Sequence, residues 1–297
     1  MLQPALKEAV QNDRLQALST SRHSLSLRCL LYEGSFSRVY KALYKDKVEV
    51  LVKTVADSAT TQQVSQLLSE GLTMFGLSHK TILSILAVNA DPNLPPLLVY
   101  PYTNKGNLKR FLQGCRSRNG SEQYALMTQD VVEMATQVAV AGVYLHTQSI
   151  CHRDLATRNC MVDEKLRIKV TDSALSSDLF PNDYDDINND NQYRPVKWLA
   201  LESLLHNEFT TASDVWSFGV LLWELVTLAR QPFEDIEAKD LRLYLQNGYR
   251  LSQPTNCPDD LFGMMTCCWL ASADERPTFV QLLGCLQDFS TALERFI

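Results

Sequence analysis

The sequence predicts an α+β protein in two lobes, a small β-rich one with one main helix and a larger helical one. Three observations carry this expectation. Short runs of β-branched and apolar residues crowd the stretch from 25 to 102, and helix-period apolar stripes dominate beyond 104. Between them a Pro- and Gly-bearing stretch at 101–106 reads as a hinge.

Taken in order, residues 1–24 are polar with scattered Leu2, Leu6, Val10, Leu15 and Leu18, an extension that is either helical or mobile. The β-runs lie at 26–29, 39–43, 48–54, 85–88 and 97–100, and one helical stretch at 62–77 interrupts them. The first lobe is therefore assigned to 25–102 and the second to 103–297. In the second, apolar residues at 131, 135, 138 and 145 mark one face of a helix. The stretch 213–228 is apolar nearly all round, the pattern of a buried central helix. A loop at 182–191 gathers Asp183, Asp185, Asp186 and Asp190 around Tyr184.

Bulk properties narrow the function classes. A chain of 297 residues can bury an ample core. A net charge of −6 and a pI near 5.4 argue against nucleic acid or an anionic membrane surface as the main partner. No apolar run approaches the ~18 residues of a membrane span, so membrane attachment is expected only through a segment outside this sequence. The eight cysteines show no C-x-x-C spacing and are expected to be reduced core thiols.

The most specific run is His152-Arg153-Asp154-Leu155-Ala156-Thr157-Arg158-Asn159, followed by Thr171-Asp172-Ser173-Ala174. Upstream stand Tyr32-Glu33-Gly34-Ser35-Phe36-Ser37-Arg38-Val39 between two strands, Val50-Leu51-Val52-Lys53 on a strand, and Glu70 on the predicted helix. Downstream come Ala200-Leu201-Glu202, Asp214-Val215-Trp216 and Glu275-Arg276-Pro277. In this order and spacing they resemble the working parts of protein kinases, with 152–159 in the form typical of tyrosine kinases. The resemblance covers about 25 to 293 and is to receptor tyrosine kinases. Three runs are most similar to the RYK/Derailed group of Wnt receptors. They begin at Asp172-Ser173-Ala174-Leu175, Arg194-Pro195-Val196-Lys197 and Asn256-Cys257-Pro258-Asp259.

The resemblance implies a role for each residue. Lys53 would meet the α- and β-phosphates of ATP, with Glu70 holding it. Asp154 would be the base that accepts the substrate hydroxyl proton, and Arg158 the arginine of the tyrosine-kinase loop. Asn159 and Asp172 would hold Mg. Gly34, Val39, Leu51, Lys53, Tyr100 and Pro101 would line the ATP cleft, with Tyr100 as gatekeeper. Glu202 and Arg276 would form a structural ion pair.

Several positions depart from the kinase pattern. The phosphate cap keeps one of three glycines, and glycine matters there because a backbone without Cβ approaches phosphate closely. Leu51 replaces an Ala under the adenine ring, overpacking worth about 1–3 kcal/mol per methylene, and Tyr100 narrows the cleft further. Gly71 inside a helix would cost roughly 0.5–1 kcal/mol and loosen the hold on Glu70. Ser173 replaces a Phe whose buried contacts are worth about 3–5 kcal/mol unless a neighbour fills the space, and Ala174 replaces a mobile Gly.

The expectation is therefore a pseudokinase with vestigial catalytic residues, an occluded ATP cleft, unused Mg ligands and no cofactor. By resemblance it is the cytoplasmic domain of a plasma-membrane receptor, with 1–24 as a juxtamembrane-like extension. It would act in Wnt signalling and axon guidance through signalling proteins and other kinases, Wnt itself binding an extracellular region outside this sequence. The alternative is a weakly active, Mg·ATP-dependent tyrosine kinase with Asp154 as base. A third reading is a docking platform phosphorylated at Tyr184 or Tyr193, although phosphate on Tyr184 would meet Asp183, Asp185 and Asp186.

Overall fold

The computed structural model describes residues 16–91, 93–116, 126–187 and 192–294. The expectations for 1–15 and for Asp190 fall outside them. The chain divides into two compact units, Met1–Asn104 with Thr171–Pro181, and Lys105–Val170 with Asn182–Ile297. Sequence reasoning had placed 171–181 in the second lobe. Its side chains instead bond to the first, as detailed below.

The first unit is built on a five-stranded antiparallel sheet of β1 (Leu25–Glu33), β2 (Ser37–Tyr44), β3 (Val48–Val55), β5 (Ala87–Asn89) and β6 (Leu97–Pro101). The strand order is β1-β2-β3-β6-β5, and a two-residue β4 (Ile82–Leu83) precedes β5 in the chain. The strand period of two sorts β3 into faces. Val50 and Val52 join Ala42, Ala87, Leu97 and Val99 in a buried cluster, with Leu25 and Tyr44 against it. Leu51 and Lys53 consequently point to the other face. In register, Lys53 lies between Val39 and Leu98, and Leu51 opposite Tyr100.

Helix α1 (Thr61–Gly71) starts at a capping box, in which Gln63 N–H donates to Thr60 Oγ1 and Thr60 N–H to Gln63 Oε1. It ends at Gly71 rather than at 77. Gly71 is therefore no weak point inside a helix. A Cβ there would lie 2.9 Å from Leu98 Cδ1 and 3.0 Å from the Tyr100 hydroxyl, so glycine lets α1 seat closely on β6. Part of the N-terminal extension is also fixed. Thr20 N–H donates to Val88 O at 2.8 Å and Val88 N–H to Leu18 O at 2.8 Å, which covers the open edge of β5.

The second unit opens with β7 (Gly106–Asn107), α2 (Leu108–Arg116) and α3 (Thr128–Thr147). A hairpin follows, β8 (Cys160–Val162) against β9 (Ile168–Thr171), with β7 on the other side of β8. The remaining helices are α4 (Leu201–His206), α5 (Thr211–Val226), α6 (Ala238–Gln246), α7 (Asp259–Cys268) and α8 (Phe279–Glu294). Helix α5 is buried from Ser213 to Leu225, as its all-round apolar pattern requires. Arg276 grips Glu202 in a bidentate pair, Nη1 to Oε1 at 2.6 Å and Nη2 to Oε2 at 2.8 Å. The cysteines depart from expectation: Cys160, Cys257 and Cys268 are buried, but Cys29, Cys267 and Cys285 are exposed.

Candidate functional site

In the first unit the site residues meet the segment that follows β9. Asp172 caps a short 3-10 turn, Ser173–Leu175, by accepting the Ala174 N–H at 3.0 Å. The turn packs on α1, and Ala174 and Leu175 within it are buried. Beyond the turn, Ser177 Oγ donates to Glu70 Oε2 at 3.0 Å, and Gln66 Nε2 donates to Glu70 Oε1 at 2.8 Å.

The ion-pair partner of Lys53 is Asp178. Both side chains are fully buried, Lys53 Nζ donates to Asp178 Oδ1, and Ser37 Oγ donates to Asp178 Oδ2 at 2.6 Å. Ser35 N–H adds a bond to the Asp178 carbonyl at 3.3 Å, and Gly34 N–H closes the cap onto Ser37 O at 2.8 Å. A Cβ on Gly34 would stand 2.6 Å from the Asp178 carboxyl carbon, so the one retained cap glycine makes room for this carboxylate. Burial pushes the Asp178 pKa up, but the Lys53 ammonium and the Ser37 hydroxyl outweigh it and hold the carboxyl below its usual range.

The Tyr100 hydroxyl donates to both Asp172 oxygens, at 3.0 and 3.3 Å. Burial pushes the Asp172 carboxyl up to about 7, opposed by the Tyr100 and Ala174 hydrogen bonds and assisted by the nearby Glu70 charge. Burial beside that carboxyl drives the Tyr100 phenol well above its ordinary value. Leu51 is buried next to Tyr100 across the strand pair, with Val39 buried and Pro101 half-buried at the end of β6.

The second unit holds the other half of the predicted set. Asp214 near the start of α5 accepts the backbone N–H groups of His152, at 2.7 Å, and Arg153, at 2.9 Å. These bonds fix the loop ahead of the 3-10 turn Thr157–Asn159. Glu224 braces that turn from α5, accepting Thr157 Oγ1 at 2.6 Å, Thr157 N–H at 3.1 Å and Trp198 Nε1 at 2.9 Å. Asp154 then receives Asn159 Nδ2 at 2.8 Å, Arg158 Nη2, and the Tyr184 hydroxyl at 2.7 Å.

Arg158 is buried, with its guanidinium 4.1 Å from the centre of the Trp198 ring. It also donates to the Tyr184 hydroxyl at 3.0 Å and to Asp183 Oδ2 at 3.3 Å, and Lys109 Nζ reaches the same Asp183 oxygen at 2.5 Å. Burial would lower the Arg158 pKa, but Asp154, Tyr184, Asp183 and Glu224 more than reverse it and keep the group charged. Tyr184 is driven the other way. Burial raises its phenol well above the ordinary value, against the pull of Arg158. Tyr193, by contrast, is 72% exposed.

The structure thus brings Gly34, Ser37 and Lys53 together in the first unit, and Asp154, Arg158 and Asn159 in the second. Lys53 is held by Asp178 in place of the expected Glu70. Sequence reasoning missed Asp178, Asp183, Lys109 and Glu224. A signal existed for the first: Asp178 is the lone charge between Asp172 and Asp183, in a run otherwise of small and apolar residues.

The family described as "Protein tyrosine and serine/threonine kinase" matches residues 25–286. "Tyrosine-protein kinase RYK" of Mus musculus is 44% identical over 290 residues, covering 96% of this chain and 49% of the relative. "Tyrosine-protein kinase Dnt" of Drosophila melanogaster is 45% identical over 285 residues, with 96% and 48% covered. "Tyrosine-protein kinase Drl" of the same fly is 44% identical over 287 residues, with 96% and 46% covered. The chain spans about half the length of these relatives. It belongs to the protein kinase family, and over nearly its whole length it is similar to the kinase regions of RYK, Drl and Dnt.

Proposed function

We propose that the chain is the cytoplasmic, tyrosine-kinase-like pseudokinase domain of a Wnt-binding plasma-membrane receptor. It would signal in axon guidance through protein contacts, with little or no ATP binding or phosphoryl transfer. The observation that carries this reading is the Tyr100–Asp172 contact. Both oxygens of the would-be metal ligand accept the gatekeeper hydroxyl, and one also accepts the Ala174 amide. One departure from the kinase pattern, Tyr100, together with the backbone amide at 174, thereby occupies the carboxylate that magnesium would need. Asp172 as placed does not fit the ion, and no catalytic step is derived through it. The buried Leu51 beside Tyr100 supports the same reading from the purine side.

The receptor context and the expected partners, signalling proteins and other kinases, rest on similarity to RYK, Dnt and Drl. Among the described residues no helix is long and apolar enough to cross a membrane. The test is calorimetric titration with Mg·ATP alongside radiolabel transfer to a tyrosine polymer. Neither binding heat nor transfer is expected. Transfer that vanishes in Asp154→Asn would overturn the proposal.

One observation favours the enzymatic alternative. Tyr184 donates to Asp154 at 2.7 Å, the bond that a base makes to a substrate hydroxyl. In that reading Mg·ATP is the cofactor and Tyr184 a substrate held in place. Phosphorylation by another kinase is a related outcome. Co-expression with an active tyrosine kinase, read by mass spectrometry, should modify exposed Tyr193 well before Tyr184.

A further inference from the structure

We propose that Asp178 is a built-in phosphate mimic. Its carboxylate sits on Lys53 and Ser37 in the gap that Gly34 leaves, while Ser35 N–H bonds the backbone carbonyl of the same residue, and this cradle becomes a binding site for nucleotide phosphates when the 173–181 segment withdraws. The inference rests on reading the resting domain as nucleotide-free, and it adds the reason and the means of reversal.

Each part of the cradle has a donor or a gap suited to an anion. Asp178 Oδ1 takes the Lys53 ammonium and Oδ2 takes the Ser37 hydroxyl at 2.6 Å. Ser35 N–H is turned toward the same residue, bonding its carbonyl at 3.3 Å. Gly34 leaves no Cβ, and a methyl there would collide with the carboxyl group. An ammonium, a hydroxyl, a backbone N–H and a glycine gap are the features that let a loop hold phosphate. Here the ammonium, the hydroxyl and the glycine gap hold a carboxylate of the same chain, and the N–H holds that residue's own carbonyl.

The competition is intramolecular. A tethered anion acts at an effective concentration of about millimolar or more, so a free phosphate group must exceed that to displace it. The tether is also fastened nearby. Leu175 is buried against α1, Leu179 N–H closes onto Ser176 O at 2.9 Å, and Ser177 bonds Glu70 at 3.0 Å. The turn therefore presents Asp178 to Lys53 in one fixed pose. Removing its negative charge leaves the Lys53 cation as the strongest local attraction for a phosphate.

The experiment is thermal unfolding of the chain and of Asp178→Asn, with millimolar Mg·ATP, Mg·ADP or inorganic pyrophosphate, and Lys53→Met added to each as control. The expected result is no shift for the parent and a rise of about 5 °C for Asp178→Asn, lost in Asp178→Asn/Lys53→Met. A shift with pyrophosphate would place binding in the cradle alone; a shift with nucleotide only would add the base. Folded Asp178→Asn that responds to none of the three overturns the inference and leaves the nucleotide-free reading intact. A parent that responds, with the shift lost in Lys53→Met, overturns the nucleotide-free reading. The inference then survives only if Asp178→Asn binds more tightly than the parent.

Should Asp178→Asn fail to fold, labelling of Lys53 by an amine-reactive ester gives a second readout on the parent and on Ser37→Ala. Lys53 should react about tenfold or more slowly than exposed Lys47 in the parent, and faster in Ser37→Ala. Equal rates for Lys53 and Lys47 in the parent would overturn the inference.

Discussion

In the first unit a buried ammonium meets a buried carboxylate, Lys53 with Asp178, whereas in the second a carboxylate meets a phenol, Asp154 with Tyr184. Both occupants come from one short stretch of chain, six residues apart. The difference lies in what each partner loses when the contact breaks. Freed in place, Lys53 is a charge in a fully buried site, and its attraction to Asp178 is what offsets desolvation. Asp154 keeps Arg158 and Asn159 when Tyr184 leaves, so its charge stays compensated. The first contact is thus a structural lock and the second an exchangeable one. The buried lysine of the first unit is committed to the fold more deeply than the aspartate of the second.

The largest expected effect attacks the lock. Asp178→Ala leaves Lys53 buried without its counter-charge and should cost about 3–5 kcal/mol in denaturant unfolding. The double variant Lys53→Met/Asp178→Leu should recover most of that loss, since an apolar pair of similar volume has no charges to desolvate. A double variant as unstable as the single would remove the ion pair as the cause. Next in size, Gly34→Ala forces a methyl against the Asp178 carboxyl and should cost roughly 1–3 kcal/mol by the same measurement. No change there would mean that the carboxylate sits elsewhere in solution.

Tyr184→Phe sharpens the other side of the comparison. It removes one donated and one accepted hydrogen bond at a site that stays compensated, so a cost of only about 1 kcal/mol is expected. A loss as large as that of Asp178→Ala would erase the distinction between the two contacts.

The smallest effect is a pH slope. The folded pKa of Asp178 is depressed, so its contribution to stability is present above the unfolded value near ~4 and fades as pH falls through the folded one. Urea unfolding of the parent should therefore lose stability below about pH 4 more steeply than that of Asp178→Asn. Parallel slopes would mean that Asp178 is not held as an anion.

Much of this was legible in the residues. The run from His152 to Asn159 and the Val50-Leu51-Val52-Lys53 strand each announce a kinase part through local spacing, whereas the pair Glu202–Arg276, 74 positions apart, was implied by the family resemblance. The all-round apolar pattern of α5 announces its burial because a helix with no polar face has nowhere else to go. Gly71 was misjudged for a clear reason. Propensity assigns a glycine a cost, but the benefit, room for Leu98 and the Tyr100 hydroxyl, exists only across a tertiary contact.

The sequence by itself determined the kinase fold, the split between a β-rich and a helical part, and the identity of the retained polar residues. These follow from periodicity and from short motifs whose members lie close along the chain. Only the tertiary structure decided whom those residues bind. Lys53 and Asp178 are 125 positions apart, Tyr100 and Asp172 are 72 apart, and nothing in local spacing couples them. Partner choice between buried charges is set by where the folded backbone brings them and by the cost of leaving either without a counter-charge. In this chain that balance put a carboxylate on the lysine and a phenol on the aspartate.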